Sequence, residues 1–95
     1  MSQHKLTIND DRRRFEMETE GYVSFIEFQN KNENVVVLTH TLVPPELGGR
    51  GIGKKLVELV LDHLKSNNRK VEAKCPFVST YLERHPEWQS IIAGK

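Results

Sequence analysis

The chain reads as one α+β domain over residues 1–95: a mixed sheet of about five strands, one right-handed parallel strand–helix–strand crossover, and a second helix towards the C-terminus. Three observations predict this. Before residue 44, apolar and polar residues alternate in short runs separated by Asn, Asp and Gly; from Ile52 the apolar residues recur at helical spacing; and a short strand-like run precedes Pro76, where helical spacing resumes.

Lys5–Asn9 and Arg12–Thr19 alternate around Asn9-Asp10-Asp11, a sequence suited to a tight turn, which predicts an opening hairpin. Gly21 starts the next strand, Tyr22–Gln29, with Tyr22, Ser24, Ile26 and Phe28 on one face and Val23, Phe25 and Glu27 on the other. The polar stretch Asn30–Asn34 makes a turn. Val35–Val43 is apolar on both faces, which predicts a central strand buried on both sides. Ile52, Leu56, Val60 and Leu64, with Val57 and Leu61, form a stripe that packs on a sheet, and Asn67-Asn68 suits a left-handed stop. Lys70–Lys74 is a short strand, and strand, helix, strand implies a right-handed parallel crossover. Pro76 fits the first turn of a second helix running to about His85, where Pro86 stops it. Glu87–Ala93 adds one helical turn, with Trp88 and Ile91 over the core.

With 37% hydrophobic and 28% charged residues, the composition is that of an ordinary globular domain. A net charge of +1 predicts neither nucleic-acid nor membrane affinity. Arg12-Arg13-Arg14 reads as a solvated strand start, with a phosphate or RNA contact as the alternative. One cysteine cannot form an internal disulfide, and Met1 precedes polar Ser2-Gln3-His4 with no apolar signal core, so a cytoplasmic location is expected. No apolar run approaches the roughly 18 residues that span a bilayer. His4, His40, His63, His85 and Cys75 lack paired ligand spacing, so no metal site is expected; His63 falls on the predicted solvent face of the first helix.

The richest segment is Pro44-Pro45-Glu46-Leu47-Gly48-Gly49-Arg50-Gly51-Ile52-Gly53-Lys54-Lys55, where a strand breaks into glycines and then opens a helix. N–H groups in a helix's first turn have no intrahelical partner, and the helix dipole adds roughly half a positive charge there. Glycines let an anion approach the backbone, and Arg50, Lys54 and Lys55 add mobile positive charge, so the run reads as an anion cradle. Gly48–Lys55 nearly fits the phosphate-loop pattern G-x-x-x-x-G-K-[ST], but Lys55 stands where the magnesium-binding hydroxyl belongs. Gly49, Gly51 and Gly53 lack the wide last gap of the dinucleotide fingerprint. A plain Gly-rich turn with solvated cations is the remaining alternative.

Leu42 to Leu56 resembles the acetyl-coenzyme A pyrophosphate loop of the GNAT acetyltransferase superfamily, whose pattern is Gln/Arg-x-x-Gly-x-Gly/Ala. Gly51 and Gly53 fill the two small positions; Gly48 stands where Gln or Arg is usual, which affects one side-chain contact and not the backbone cradle. Ala73-Lys74-Cys75-Pro76-Phe77-Val78-Ser79-Thr80-Tyr81-Leu82-Glu83-Arg84-His85-Pro86-Glu87-Trp88 is similar to a subfamily of very small GNAT-like proteins with a cysteine near the acetyl group. The resemblance covers roughly residues 5–90 and implies a GNAT-like core. Full-length members carry helices between their first two strands that wall the acceptor site, and here Asn9-Asp10-Asp11 replaces them.

His40 lies near the end of the strand read as central, and Cys75 lies just after the strand expected beside it, so the two can meet at the carboxyl edge of the sheet, at a distance the sequence does not fix. Cys75 also precedes Pro76, at a helix N-terminus that favours a thiolate able to take an acyl group from a thioester. A small buried hydrophobe is its plain alternative. Imidazole changes charge near neutral pH, and His40 is the only titratable side chain on that strand, so it is the candidate general base; the alternative is a histidine held by one backbone hydrogen bond. By the resemblance, Tyr81 matches the tyrosine that protonates departing coenzyme A thiolate, with packing as its alternative. The resemblance also puts the pantetheine amides on the backbone of Leu42 and Val43, and the pyrophosphate on Gly48, Gly49, Arg50, Gly51, Ile52, Gly53 and Lys54. Thr39 and Thr41 are read as filling strand positions, with a hydrogen bond to the pantetheine as the alternative.

These residues predict a protein that binds acetyl-coenzyme A and transfers its acetyl group to an unknown amine or thiol, an exposed group on a protein among them, with acetyl-Cys75 as one route. The rival class is a binding module in which acetyl-coenzyme A alters a partner surface without turnover.

Overall fold

The computed structural model describes residues 5–93; His4, weighed above as a metal ligand, lies outside the described residues, as does the segment Met1 to Gln3. Five strands form one sheet in the order β1-β2-β3-β4-β5: β1 (Leu6–Asn9), β2 (Arg14–Thr19), β3 (Tyr22–Asn30), β4 (Val35–Leu42) and β5 (Lys70–Ala73). The first four pair antiparallel and β5 runs parallel to β4, as the sequence predicts. Helix α1 (Ile52–Ser66) makes the crossover, and α2 (Pro76–Arg84) follows β5.

Local chemistry explains the turns. Asn9 Oδ1 accepts the Arg12 N–H at 3.2 Å, closing the first hairpin. Glu20 and Gly21, at φ 52° and 84°, form the two-residue turn whose twist matches its strands. Asn32 Oδ1 accepts the N–H groups of Asn34 and Val35 at 2.8 and 3.0 Å before β4. Asn68, at φ 57°, stops α1 as expected, and the Arg69 N–H reaches back to the Leu64 carbonyl at 2.9 Å. After α2 the chain forms a 3₁₀ segment, Pro86–Ile91, and the Ala93 N–H then bonds the Val71 carbonyl, so the C-terminal stretch lies beside β5.

One hydrophobic core lies between the sheet and both helices. Phe15, Met17, Ile26, Phe28, Val36, Leu38 and Val71 meet the α1 stripe of Ile52, Leu56, Val57, Val60, Leu61 and Leu64, with Val78, Tyr81 and Leu82 from α2. His63 is half-buried rather than solvent-facing, because its ring packs edge-on to Phe15 at 5.9 Å.

The strand read as central is fourth in the sheet; β3 takes the middle. Only its first half is buried on both faces, at Val36, Val37 and Leu38, while its second half, Thr39–Leu42, is half-buried or exposed. The opposite face of the sheet, carrying Arg14, Glu16, Glu18, Val23, Phe25, Glu27, His40 and Leu42, is covered by no helix among the described residues.

Candidate active site

β4 and β5 part at one carbonyl. Their ladder ends at Leu38↔Ala73, and the Leu38 carbonyl accepts both the Lys74 N–H at 2.9 Å and the Cys75 N–H at 3.1 Å. β4 then continues through Leu42 while the other chain turns away at Pro76 into α2. The edge of β4 therefore faces a gap, and Leu42 and Val43 end that edge.

A bulge decides which side chains border the gap. Phe28 pairs with Leu38 but the next residue back, Glu27, pairs with His40, so Thr39 is the extra residue of β4; its Oγ1 donates to the Glu27 carbonyl at 3.2 Å. One extra residue inverts the alternation beyond it. Thr41, opposite buried Ile26, faces the helices, and its Oγ1 shares a 3.2 Å hydrogen bond with the Cys75 thiol, which is only 5% exposed. His40, opposite Glu27, is exposed on the uncovered face, its ring 6.4 Å from that of Phe25. His40 and Cys75, which the sequence leaves free to meet, do not: the bulge sends the imidazole to one face of the sheet and gives the place beside the thiol to Thr41.

Past β4, Pro45–Leu47 make a single 3₁₀ turn that buried Leu47 pins to the core, and the Gly48 N–H closes it on the Pro45 carbonyl at 3.0 Å. Gly49 and Gly51 then adopt φ of 77° and 71°, where a Cβ is strained. Gly51 begins α1 with no side-chain cap and no acidic residue in the first turn. The N–H groups of Ile52, Gly53 and Lys54 thus lack intrahelical partners and point out of the positive end of the helix dipole. At Gly53 a Cβ would come within 2.8 Å of the Phe77 ring and 3.5 Å of the Val43 side chain, so only glycine leaves this corner between α1 and α2 unobstructed.

Two grooves meet at this corner. One, of about 400 Å³, runs over Val43, Gly48, Gly49, Gly51, Ile52 and Gly53; the other, of about 610 Å³, runs along α2 over Pro76, Thr80, Tyr81, Arg84 and His85. Lys54 and Phe77 line both. Arg50 is tied to the β2–β3 turn, donating to Glu20 Oε2 at 2.6 Å. That hydrogen bond, and secondly the opposite charge, lowers the Glu20 carboxyl below its ordinary range and raises the Arg50 guanidinium.

Tyr81 is buried, stacks on His85 with ring centroids 3.9 Å apart, and donates its hydroxyl to Glu58 Oε2 at 3.2 Å. Burial is the main cause that pushes its phenol pKa up; Trp88 opposes the shift and the Glu58 charge reinforces it. Sequence reasoning passed over Phe77 and Glu58 as parts of this region, and read Thr41 as a strand position rather than as the partner of the Cys75 thiol. Only Thr41 had a signal, its position at the carboxyl end of β4, and the bulge that gives it importance has no sequence signature.

Residues 14–91 match the family described as GCN5-related N-acetyl-transferase. Protein NATD1 of Gallus gallus and of Mus musculus are each 30% identical over 59 residues, 62% of this chain and 54% of theirs; for the Homo sapiens protein the share is 52%. The aligned stretch spans about half the length of these relatives. A GCN5-like protein of Staphylococcus aureus solved by NMR superposes with a TM-score of 0.74 at 31% identity, covering 100% of this chain and 93% of that one. With the five-stranded mixed sheet, the parted β4 and β5 and the uncapped glycine start of α1, these matches establish that the chain belongs to the GCN5-related N-acetyltransferase family.

Proposed function

We propose that the protein binds acetyl-coenzyme A and transfers its acetyl group to an amine or thiol acceptor. The observation that carries this reading is the start of α1: a helix end with no side-chain cap and no carboxylate, lined by glycines and opening into the two grooves. Such an end binds a pyrophosphate through backbone N–H groups. Gly48, Gly49, Gly51, Ile52 and Gly53 supply that cradle, Lys54 adds charge beside it, and the free edge of β4 at Leu42 and Val43 offers backbone partners to an extended amide chain. Arg50 contributes to the cradle only on leaving Glu20.

The bound thioester supplies an activated acyl group whose C–S bond breaks as a bond to the nucleophile forms. Two routes use opposite sides of the gap. In the first, an amine arriving on the uncovered face loses a proton to His40 or to water as its nitrogen bonds the carbonyl carbon, and the departing thiolate takes a proton from Tyr81 or solvent. In the second, the Cys75 thiol, hydrogen-bonded to Thr41, gives its proton to water as its sulfur bonds the carbonyl carbon and the bond to coenzyme A breaks; the departing thiolate takes a proton from solvent, the exchange is between sulfurs of nearly equal energy, and the acetyl group then passes to the acceptor. Incubation with acetyl-coenzyme A followed by intact mass separates them. Only the second gives an adduct of about 42 Da that is lost in Cys75→Ala.

The absence of an acceptor wall among the described residues also suits a module that binds without turnover. Acceptor-dependent release of free thiol argues against that module; release that no acceptor stimulates argues for it. Amide resonances of Gly49–Lys54 that stay still on titration with acetyl-coenzyme A would overturn both readings.

A further inference from the structure

Of the three cations in the glycine run, Arg50, Lys54 and Lys55, only Arg50 is held in an ion pair among the described residues. Its guanidinium donates through Nη1 to Glu20 Oε2 at 2.6 Å, and Glu20 belongs to the two-residue turn between β2 and β3. Gly49 and Gly51, on either side of Arg50, line the groove over the cradle, whereas Arg50 and Glu20 line neither groove. Nothing fixes this arrangement beyond the pair itself. Gly49 and Gly51 have φ of 77° and 71° with nothing within 4 Å of an added Cβ, so open space surrounds the loop on both sides of Arg50. The two side chains are 48% and 57% exposed.

We propose that Glu20 is a built-in competitor for the cofactor's pyrophosphate: it holds Arg50 while the cradle is empty and yields it when the pyrophosphate arrives. The proposal rests on the coenzyme-binding part of the reading above and adds a residue that touches no cofactor. Filling the cradle therefore frees the β2–β3 turn. Two magnitudes set the direction of the exchange. An exposed ion pair contributes little, because solvent screens it and two long side chains must be held still. A pyrophosphate on the N–H groups of α1 carries a charge on each phosphate, and its oxygens match the guanidinium fork in paired, charge-assisted hydrogen bonds. The guanidinium thus gains by moving. Its release from Glu20 is still subtracted from the cofactor's affinity, which makes Glu20 a positioning residue acting through Arg50.

The test uses the full chain with two probes, acetyl-coenzyme A and inorganic pyrophosphate, followed by calorimetry and by amide resonances. Each probe should move the amides of Glu20 and Gly21 together with those of Gly49–Lys54, although the turn lines neither groove. Glu20→Gln should tighten both probes about two- to fivefold and make their affinity fall more steeply with salt, since Arg50 then gains an ion contact without losing one. Glu20→Asn, a residue that the left-handed turn also accepts, should do the same and guards against a misfolded first variant. Arg50→Ala should weaken both probes, and adding it to Glu20→Gln should abolish the gain. Unchanged affinity in both Glu20 variants overturns the proposal. So does an equal gain in the Arg50→Ala background, which would show Glu20 acting by its charge alone, and so do still Glu20 and Gly21 amides while the cradle moves. If pyrophosphate gives these effects and acetyl-coenzyme A does not bind, the transfer reading falls and the exchange stands; if neither binds, both fall.

Discussion

Gly51 and Gly53 stand two residues apart in the cradle and need their missing Cβ for different reasons. Gly51 sits at φ 71° with nothing within 4 Å of an added Cβ, so its requirement is conformational. Gly53 is helical, and its requirement is space: the Phe77 ring lies 2.8 Å from where its Cβ would be. Gly51→Ala should therefore cost about 1–2 kcal/mol, the strain of a left-handed residue with a Cβ, and lower the melting temperature by several degrees. Gly53→Ala should leave the melting temperature nearer to wild type, because alanine favours helix by about 1 kcal/mol and half-exposed Phe77 can turn aside. Its loss should fall on acetyl-coenzyme A affinity, since methyl and displaced ring both enter the corner shared by the two grooves. Thermal melts and cofactor titrations on both variants check this; equal melting losses would show that backbone strain does not separate them.

At the scale of elements, the hydrogen bond from Tyr81 to Glu58 joins α2 to α1 beside the larger groove, which Tyr81 lines. The raised phenol pKa fixes the sign of its pH dependence. With the folded pKa above the unfolded value of about 10, this stabilisation is full below pH 10 and is lost as pH rises through the folded value. Tyr81→Phe should cost about 1 kcal/mol near neutral pH and should flatten part of the alkaline decline in urea-unfolding free energy. An unchanged alkaline slope would mean that Tyr81 does not titrate differently in the folded chain. The elements themselves were largely legible in sequence: the β1–β2 hairpin from Asn9, the end of α1 from Asn67-Asn68, and the start of α2 from Pro76. The bulge at Thr39 was not, because Val35–Val43 reads as one unbroken strand, apolar on both faces, and the inserted residue is defined only by its pairing with β3. The site inherits that limit. The glycine-rich start of α1 depends on local backbone and could be read, whereas the placement of His40 and Thr41 on opposite faces could not.

The whole molecule has one hydrophobic layer between a sheet and two helices, and stability should follow that asymmetry. A chain of this size buries only about two-thirds of its unfolded surface, so its margin rests on few residues. Met17, Ile26, Val36, Leu38, Leu56, Val57, Val60, Leu61 and Leu64 are fully buried and belong to β2, β3, β4 and α1. β1 offers half-buried Leu6 and an Ile8 that is 38% exposed, and α2 has nine residues with Phe77 turned outward. Native-state hydrogen exchange should then be slowest in β2–β4 and α1, where amides open only with global unfolding, and faster in β1 and α2, which open locally. Leu61→Ala should remove about 2–5 kcal/mol from the slow set, while Leu82→Ala should speed exchange in α2 more than in β3. The difference bears on function. Cys75 and Tyr81 ride on or beside α2, and β4 holds Thr41 and His40, so local opening of α2 widens the gap and larger groove while the β4 wall stays fixed. Acetyl-coenzyme A bound between the two should slow α2 exchange selectively. Protection in α2 equal to that in β3 without cofactor would show one cooperative unit instead, with the gap as rigid as the core.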